Sequence, residues 1–312
     1  MSASAAFVFP GQGSQSLGML AEHCVKHPMI ADTFAEAASA LGYDLWAVTQ
    51  QGPEERLNQT DVTQPAILAA SIALWRLWLT EGGVRPAYVA GHSLGEYSAL
   101  VAAGSLDFAD ALRLVELRGK LMQQAVPAGQ GGMAAILGLE DADVVAACAE
   151  AAGGEVVSAV NFNAPGQVVI AGAAAAVERA IEACKARGAK RAMPLPVSVP
   201  SHCALMKPAA ERFAASVEAI NWQAPTIPLV QNVSASVVAD LAVLKGDLLA
   251  QLYSPVRWVE SMVCLSGQGV TDLVECGPGR VLSGLNKRCV KGINTHNLDT
   301  PDAFAAALAA LN

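Results

Sequence analysis

Residues 87 to 100, AYVAGHSLGEYSAL, join a short apolar strand to a helix through the hexapeptide GHSLGE. Gly91, Ser93 and Gly95 match the pattern G-x-S-x-G, in which a serine is held on a tight turn between a strand and a helix. Glycine is needed on both sides because a Cβ there would collide with the neighbouring strand or helix. Ser93 would lie at the helix N-terminus, where free backbone N–H groups favour a developing oxyanion. The stretch predicts an α/β fold with a nucleophilic serine, and a turn without chemical meaning is the alternative.

Short apolar runs alternate with longer amphipathic runs along most of the chain, which is typical of an α/β protein. The runs that predict strands of a larger domain are Ala5–Phe9, Ala87–Gly91, Leu229–Asn232 and Asp272–Cys276. The runs that predict its helices begin at about Ser14 or cover Gln64–Thr80, Leu94–Ala103, Asp107–Ala125, Leu205–Ile220 and Pro301–Leu311. Pro65 and Asp107 are residue types that favour helix N-termini.

A second pattern interrupts the first after the glycine-rich stretch 127 to 132, which we interpret as a hinge. Its predicted elements, in the order βαββαβ, are Met133–Leu139, Ala142–Ala152, two strands joined at Asn163–Gly166, Ala174–Arg187 and Lys190–Pro196. This order, with a tight turn between the central strands, is that of a ferredoxin-like unit. We therefore predict a discontinuous large catalytic α/β domain, residues 1–127 and 198–312, interrupted by a ferredoxin-like small domain, residues 128–197.

Composition excludes several classes of protein. The chain has 312 residues, of which 53% are hydrophobic and 15% charged. Its net charge is −8 and its sequence contains no block of basic residues, so no nucleic acid partner is expected. The strongest apolar stretch, Pro65 to Leu79, contains Arg76 and is too short to span a membrane. No targeting segment is expected at the start of the sequence. Seven cysteines without a C-x-x-C pair favour a reduced, cytoplasmic protein.

A nucleophilic serine needs a base, and the candidates are the histidines at positions 23, 27, 92, 202 and 296. We select His202, because prolines stiffen the segment before it and place it at the predicted junction of the domains. A structural histidine with satisfied hydrogen bonds is the alternative. The neighbouring Cys203 is a rival nucleophile in principle, but nothing in its setting indicates a lowered pKa.

The remaining histidines are given lesser roles. His23 and His27 are spaced i and i+4 without the glutamate of H-E-x-x-H, so we expect them on a helix surface and not at a metal. His92 should point away from the Ser93 hydroxyl and is interpreted as a supporting residue or one at the edge of the substrate site. His296 is interpreted as a residue at the rim.

Arg118 lies on the apolar face of the predicted helix Asp107–Ala125, three residues after Val115 and four before Met122. A buried guanidinium keeps its charge and therefore needs an anion. The anion is either a carboxylate of the protein or an anionic substrate, and arginine geometry suits a substrate carboxylate held by two hydrogen bonds. Together with a nucleophilic serine, this position favours the substrate.

The turn PGQGSQ, residues 10 to 15, follows the first predicted strand. Its glycines let backbone N–H groups approach a ligand, so Gln12 is predicted to supply an oxyanion donor beside that of Leu94. The turn is not a dinucleotide fingerprint, because Ser16 stands at the third glycine position. Residues 275–287 lack the Lys-Ser/Thr pair of a phosphate-binding loop. We expect neither a cofactor nor a metal.

The combination of GQGSQ (11–15), GHSLGE (91–96), Arg118 and PSH (200–202), in this order, resembles the malonyl-CoA:acyl carrier protein transacylases of bacterial fatty-acid synthesis. The likeness runs from Phe7 through at least Gly284. It includes three longer motifs, NFNAPGQVVIAG (161–172), QLYSPVRW (251–258) and ECGPGRVL (275–282). GHSLGE alone also occurs in acyltransferase domains of polyketide and animal-type fatty-acid synthases, so the combination carries the specificity.

The resemblance implies an α/β-hydrolase-like large domain with an inserted ferredoxin-like domain. It implies ping-pong transfer of a malonyl group from malonyl-CoA to the pantetheine thiol of holo acyl carrier protein, which supplies extender units for fatty-acid synthesis. The implied site residues are the acylated Ser93, its base His202, the backbone oxyanion donors Gln12 and Leu94, Arg118 for the malonyl carboxylate, and a carbonyl near Gln251 that orients the imidazole. No cofactor is implied, since the CoA thioester is a substrate.

Three alternatives stay open. A serine esterase or thioesterase on a related fold would release free acid, but it gives no reason for Arg118. An acyltransferase of another malonyl-using pathway would differ in its carrier, and an inactive module would bind carriers without being acylated. Because the carrier is acidic, docking is expected at local basic residues. The candidates, each of which is otherwise a solvated surface charge, are Lys190, Arg191, Arg280, Lys287, Arg288 and Lys291.

Overall fold

The computed structural model describes residues 4–197 and 199–312, which form two β-sheets and the helices packed on them. The strands in these residues are β1 (Ala5–Phe9), β2 (Tyr88–Gly91), β3 (Gly131–Leu137), β4 (Val157–Ala164), β5 (Gln167–Ala173), β6 (Arg191–Pro194), β7 (Leu229–Val230), β8 (Val237–Val238), β9 (Asp272–Glu275) and β10 (Asn294–Asn297). The helices are α1 (Ala21–Lys26), α2 (Pro28–Leu41), α3 (Leu45–Gln51), α4 (Glu54–Leu57), α5 (Thr60–Thr80), α6 (Gly95–Ala102), α7 (Phe108–Ala125), α8 (Asp141–Ala151), α9 (Ala174–Ala186), α10 (Lys207–Glu218), α11 (Leu241–Ala250), α12 (Trp258–Gly267), α13 (Val281–Cys289) and α14 (Pro301–Leu311).

The larger sheet has the strand order β10-β9-β1-β2-β7-β8, and its pairings are parallel except that of β7 with β8. Side chains of β1 alternate between two apolar cores, with Phe7 and Phe9 in one and Ala6 and Val8 in the other. The sheet is therefore covered on both faces, as parallel sheets usually are. This arrangement confirms the predicted α/β class. The carboxyl ends of β1, β2 and β9 meet at one edge, where ligands bind in open α/β sheets.

The smaller sheet is antiparallel, with the strand order β4-β5-β3-β6, and α8 and α9 share its apolar core. The predicted βαββαβ order of the ferredoxin-like insert is confirmed. The insert contacts the larger domain through a hydrogen bond of 3.0 Å from the Phe162 N–H to the carbonyl oxygen of Val256, a residue of the apolar core on one face of the larger sheet. The predicted domain boundaries after residues 127 and 197 stay a prediction. The two segments of the larger domain were predicted to begin at Met1 and Ser198, and both residues lie outside the described part of the chain.

Helix α5 is the central helix of the larger core. It begins four residues before the predicted start, so that Pro65 lies inside the helix. By length and apolar composition it qualifies as a candidate membrane span, the single such helix in the described part of the chain, but 89% of its most apolar stretch is buried inside the protein. Its Trp75 and Trp78 rings meet the ring of Phe7 edge to face. Burial against the sheet therefore accounts for its apolar character.

The helix predicted from about Ser14 is wrong. Residues 14–16 are irregular, residues 17–20 form a turn, and α1 begins only at Ala21. Gly18 and Leu20 have φ angles of 79° and 61°, a left-handed conformation that cannot continue a right-handed helix. The apolar pattern after the first strand is thus that of a compact loop.

Two histidine predictions are also wrong. His23 is buried, and its Nε2 lies 3.0 Å from the Leu298 carbonyl oxygen, so it is a core residue rather than a surface one. His296 lies in β10, where its Nε2 is 2.9 Å from Asp272 Oδ1, and it does not line the cleft described below. In both cases the histidine is held by a partner that is distant in the sequence, which the sequence pattern did not reveal.

Candidate active site

A cleft of about 450 Å³ opens at the carboxyl edge of the larger sheet, between the two sheets of the molecule. Ser93, Arg118 and His202 line it from the larger domain. Asn161 and Gln167 line it from the ferredoxin-like insert. The cleft is therefore built by both parts of the chain, and the predicted nucleophile, base and cation share it.

The GHSLGE turn is shaped by its glycines. A Cβ on Gly91 would overlap the backbone of Gly95, and a Cβ on Gly95 would overlap the carbonyl oxygen of Phe9. Ser93 itself has φ 52°, the left-handed conformation of a nucleophile elbow. Asn232, just after β7, stabilises the turn: its Oδ1 accepts from the Ser93 N–H at 2.7 Å and its Nδ2 donates to the Gly91 carbonyl oxygen at 2.6 Å.

His202 is placed to act as a base on Ser93. Its Nε2 lies 2.7 Å from Ser93 Oγ, and its Nδ1 lies 2.7 Å from the carbonyl oxygen of Gln251. A carbonyl only accepts, so Nδ1 carries the proton and Nε2 presents a lone pair to the hydroxyl. Burial, with the Arg118 charge as a second cause, lowers the pKa of His202 to about 3. The imidazole is therefore neutral near pH 7 and free to take a proton.

Arg118 is buried in α7 and faces the serine. Its Nη1 donates to Gln64 Oε1 and its Nη2 to Gln251 Oε1, both at 2.9 Å, and Nη2 lies 3.5 Å from Ser93 Oγ. The ring of Tyr97 lies 5.5 Å from the guanidinium carbon. Among the described residues no carboxylate comes within 4.0 Å of this cation. The alternative of a protein carboxylate as its direct partner is therefore not what the structure contains.

The turn after β1 brings backbone N–H groups beside the serine. Gln12 and Leu94 both line the cleft, and neither N–H donates to another described residue. Gly11 lets the turn approach, since a Cβ there would stand 2.5 Å from the His92 carbonyl oxygen. The N–H of Ser93 is already bound to Asn232. The N–H groups of Gln12 and Leu94 are thus unoccupied within the described residues, on residues that line the cleft together with Ser93.

Two other sequence expectations concern the neighbours of these residues. His92 is compatible with both predicted roles, because it lines the cleft and its Nε2 lies 2.7 Å from Asn163 Oδ1 of the insert; burial lowers its pKa. Cys203 is no rival for Ser93, because burial raises the pKa of its thiol to about 11. No group of three potential metal ligands of the His, Cys, Asp or Glu type occurs among residues 4–197 and 199–312.

Sequence reasoning missed four polar residues of the site, which are Gln64, Glu96, Asn163 and Asn232. A polar side chain in the apolar run of α5 was a usable indication for Gln64, as Arg118 was in α7. Glu96 and Asn163 lie inside quoted motifs but were given no role. Asn232 offered no indication, because only the pairing of β7 with β2 brings it beside the GHSLGE turn.

Comparisons with known proteins identify relatives of this chain over nearly its whole length. The family model for the acyl transferase domain matches residues 6–282. A malonyl CoA-acyl carrier protein transacylase of Salmonella typhimurium is 61% identical over 303 residues, 97% of this chain and 98% of the relative. One from Bacillus subtilis is 46% identical over 308 residues, 98% of this chain and 96% of the relative.

Solved structures agree as well. An acyl carrier protein S-malonyltransferase from Vibrio cholerae superimposes with a TM-score of 0.94 at 58% identity, covering 97% of this chain and 99% of the other. A malonyl-transacylase in complex with a type II polyketide synthase acyl-carrier protein superimposes with a TM-score of 0.98 at 56% identity, covering 99% of this chain and 100% of the other. The fold and the motifs therefore point to the same group of proteins.

Proposed function

The chain belongs to the family of acyl transferase domains, and we infer that it moves a malonyl group from malonyl-CoA to acyl carrier protein through an ester on Ser93. The resemblance found in the sequence is confirmed by the family match and by relatives that align over nearly the whole chain. One observation carries the choice of acyl group. A buried guanidinium, held by two neutral amides, faces the cleft 3.5 Å from the candidate nucleophile.

In the first half-reaction, Ser93 Oγ attacks the thioester carbonyl carbon of malonyl-CoA while His202 Nε2 accepts the hydroxyl proton. The carbonyl oxygen becomes an oxyanion, which the N–H groups of Gln12 and Leu94 stabilise. When the C–S bond breaks, the CoA sulfur leaves and takes the proton back from His202. The products are malonyl-Ser93 and free CoA.

The second half-reaction runs the same steps with the other thiol. The pantetheine sulfhydryl of acyl carrier protein gives its proton to His202 Nε2 as the sulfur attacks the ester carbonyl. The C–O bond to Ser93 then breaks, and the imidazolium returns the proton to Oγ. Holding His202 through the Gln251 carbonyl keeps one tautomer throughout, so a triad carboxylate is not required.

Arg118 supplies the acyl preference. A malonyl ester on Ser93 would place its free carboxylate within reach of the Arg118 guanidinium, which forms no ion pair with a carboxylate among the described residues. A hydrogen bond to a charged group contributes about 1.5–3 kcal/mol, so this contact favours malonyl over acetyl by roughly ten- to a hundredfold. An esterase of the same fold would have no use for this cation.

Mass spectrometry of the intact protein tests the reaction. Incubation with malonyl-CoA should add one malonyl group, and later addition of holo acyl carrier protein should remove it. Ser93→Ala should show no addition. Release of free malonate in buffer without a carrier would favour the esterase instead, and no addition to the unaltered chain would favour an inactive carrier-binding module.

These steps need only protein groups and two thiols, so we propose that no metal or organic cofactor takes part. We also propose a cytoplasmic location, since all seven cysteines are free thiols. The basic residues suggested for carrier docking include Arg288, whose guanidinium contacts Gln167 Oε1 at the edge of the cleft. That position supports docking of an acidic carrier on this side.

A further inference from the structure

Glu96, the last residue of GHSLGE, is fully buried in the first turn of α6 beneath the catalytic groups. Its Oε2 accepts hydrogen bonds from the Asn232 N–H at 2.9 Å and from Gln251 Nε2 at 3.1 Å, and its Oε1 accepts from Gln231 Nε2 at 3.1 Å. Even with these donors, burial raises the pKa of Glu96 to about 7. A buried carboxylate without a direct cationic partner is costly, so its presence needs an explanation beyond packing.

The three groups that face Glu96 all donate hydrogen bonds. An ionised carboxylate only accepts, so it satisfies all three at once, whereas an amide or an alcohol in the same place would not. In its ionised form the side chain is therefore an acceptor for all three donors and fixes how they point. The neighbour that matters for the reaction is Gln251.

The side-chain amide of Gln251 lies between Glu96 and the substrate cation. Its Nε2 donates to Glu96 Oε2 and, at 3.0 Å, to the Ser93 carbonyl oxygen, while its Oε1 accepts from Arg118 Nη2. The backbone carbonyl of the same residue binds His202 Nδ1. Turning the amide by 180° would bring an NH₂ group against the guanidinium, so the acceptors on Nε2 decide whether Arg118 is held.

Arg118 depends on that bond. Its guanidinium donates two hydrogen bonds to amide oxygens in the described residues, those of Gln64 and Gln251, and its Nε has no partner there. Without the Gln251 bond the group would keep a single amide anchor and would rotate. The Nη2 that lies 3.5 Å from Ser93 Oγ is the nitrogen that would be released.

We propose that Glu96 is a positioning residue which, by orienting the Gln251 amide, holds Arg118 in the geometry that selects a carboxylate-bearing acyl group. The proposal rests on the malonyl transfer proposed above and adds a further determinant of its specificity. Glu96 touches none of the reacting atoms, and its effect on Ser93 through Asn232 is common to every acyl group. The ratio of malonyl to acetyl transfer therefore isolates the part that runs through Arg118.

The variant that tests this is Glu96→Asp, which keeps the charge but withdraws the carboxylate from Gln251 by one methylene. We expect the ratio of kcat/KM for malonyl-CoA to that for acetyl-CoA to fall about tenfold, the loss of one hydrogen bond to a charged group. The matched control is Glu275→Asp, an equally buried carboxylate that accepts from the N–H groups of Leu282 and Ser283 at the start of α13. Its ratio should stay at the wild-type value even if its stability falls.

A double-mutant cycle completes the test. Gln251→Ala keeps the backbone carbonyl that binds His202 but removes the side-chain amide, so it should lower the ratio of malonyl to acetyl kcat/KM about as much as Glu96→Asp. The double variant should lower this ratio little more than either single variant. Equal loss of malonyl and acetyl transfer in Glu96→Asp overturns the proposal. An unchanged ratio in Gln251→Ala also overturns it, and this second test applies even if Glu96→Asp does not fold. Failure of the wild-type protein to form malonyl-Ser93 would instead contradict the proposed function.

Discussion

Ser93 and His202 share a backbone conformation that amino acids other than glycine seldom adopt, with φ angles of 52° and 66°. Such a residue costs about 1 kcal/mol or more and persists only where its surroundings hold it. At Ser93 the surroundings are the two glycines of the turn and the side chain of Asn232. The proposed nucleophile and its proposed base are thus both presented by strained backbone, and their side chains meet at 2.7 Å.

Comparing Ser93→Gly with Ser93→Ala measures this strain. Both variants lack the hydroxyl and should form no acyl-enzyme, but glycine relieves the left-handed backbone that alanine must keep. We expect the free energy of unfolding of Ser93→Gly to exceed that of Ser93→Ala by about 1 kcal/mol in urea titrations. Equal stabilities would mean that the turn imposes no strain on residue 93.

Replacing Arg118 by alanine tests the acyl preference directly. Malonyl transfer should fall roughly ten- to a hundredfold, because the carboxylate loses its partner, while acetyl transfer stays the same or increases. Competition between the two CoA esters, read by mass spectrometry of the acyl-enzyme, gives the ratio. Arg113→Ala, on the exposed face of the same helix, is the matched control. A parallel loss of both activities would assign Arg118 a structural role only.

At the scale of the elements, the turn after β1 is predicted to control the oxyanion donor on Gln12. Gly11→Ala would place a Cβ 2.5 Å from the His92 carbonyl oxygen, which is backbone and cannot rotate away, so the turn must shift. We expect kcat to fall about a hundredfold, the usual effect of losing one oxyanion donor, with a smaller change in KM.

The control for this turn is Gly246→Ala, whose added methyl meets no atom within 4 Å in α11. It should leave kcat at the wild-type value. If Gly11→Ala were equally harmless, the N–H of Gln12 would not be an oxyanion donor. Steady-state kinetics with malonyl-CoA and the carrier as acceptor measure both variants.

The sequence predicted the elements whose ends are chemically marked. Strand β1 and helix α14 match their predicted bounds, and Asp107 caps α7 by accepting from the Ala109 N–H at 2.9 Å. The helix expected from Ser14 failed because left-handed residues interrupt an apolar pattern that periodicity alone cannot distinguish from a helix. Local patterns thus identify elements well where capping agrees with periodicity.

The site shows the same division. Ser93 was identified because it completes a local pattern, the glycine turn. Arg118 was identified because it interrupts one, the apolar face of a helix. Gln64, Asn163 and Asn232 lie on separate elements, and only the folded chain brings them to the cleft. Their roles depend on contacts between distant parts of the sequence, which a single sequence does not display.

At the scale of the whole molecule, buried titratable groups make stability depend on pH. Burial lowers the pKa of His202 to about 3 and also lowers those of His23 and His92, whereas burial raises the pKa values of Glu96 and Glu275. Below pH 6.5 each of these histidines takes up a proton in the unfolded chain but stays neutral to a lower pH in the folded chain. The histidines therefore cost stability as the pH falls from 6.5. Glu96 opposes this trend between about pH 7 and 4.5, and Glu275 acts in the same direction above pH 4.5.

The share of His202 in this dependence can be isolated with His202→Gln, which does not titrate. In the wild type, the contribution of neutral His202 to the free energy of unfolding is fully present above pH 6.5, the pKa of an unfolded histidine. It is lost as the pH falls toward 3, the pKa of the folded one. Between pH 6.5 and 5 the unfolded histidine goes from half to almost full protonation while the folded one stays neutral. The free energy of unfolding of the wild type should therefore fall by about 1.6 kcal/mol more than that of the variant. Urea titrations of both proteins at the two pH values give the difference. Identical losses would mean that folded His202 accepts a proton as readily as the unfolded chain, and the imidazole would then not be held neutral for catalysis.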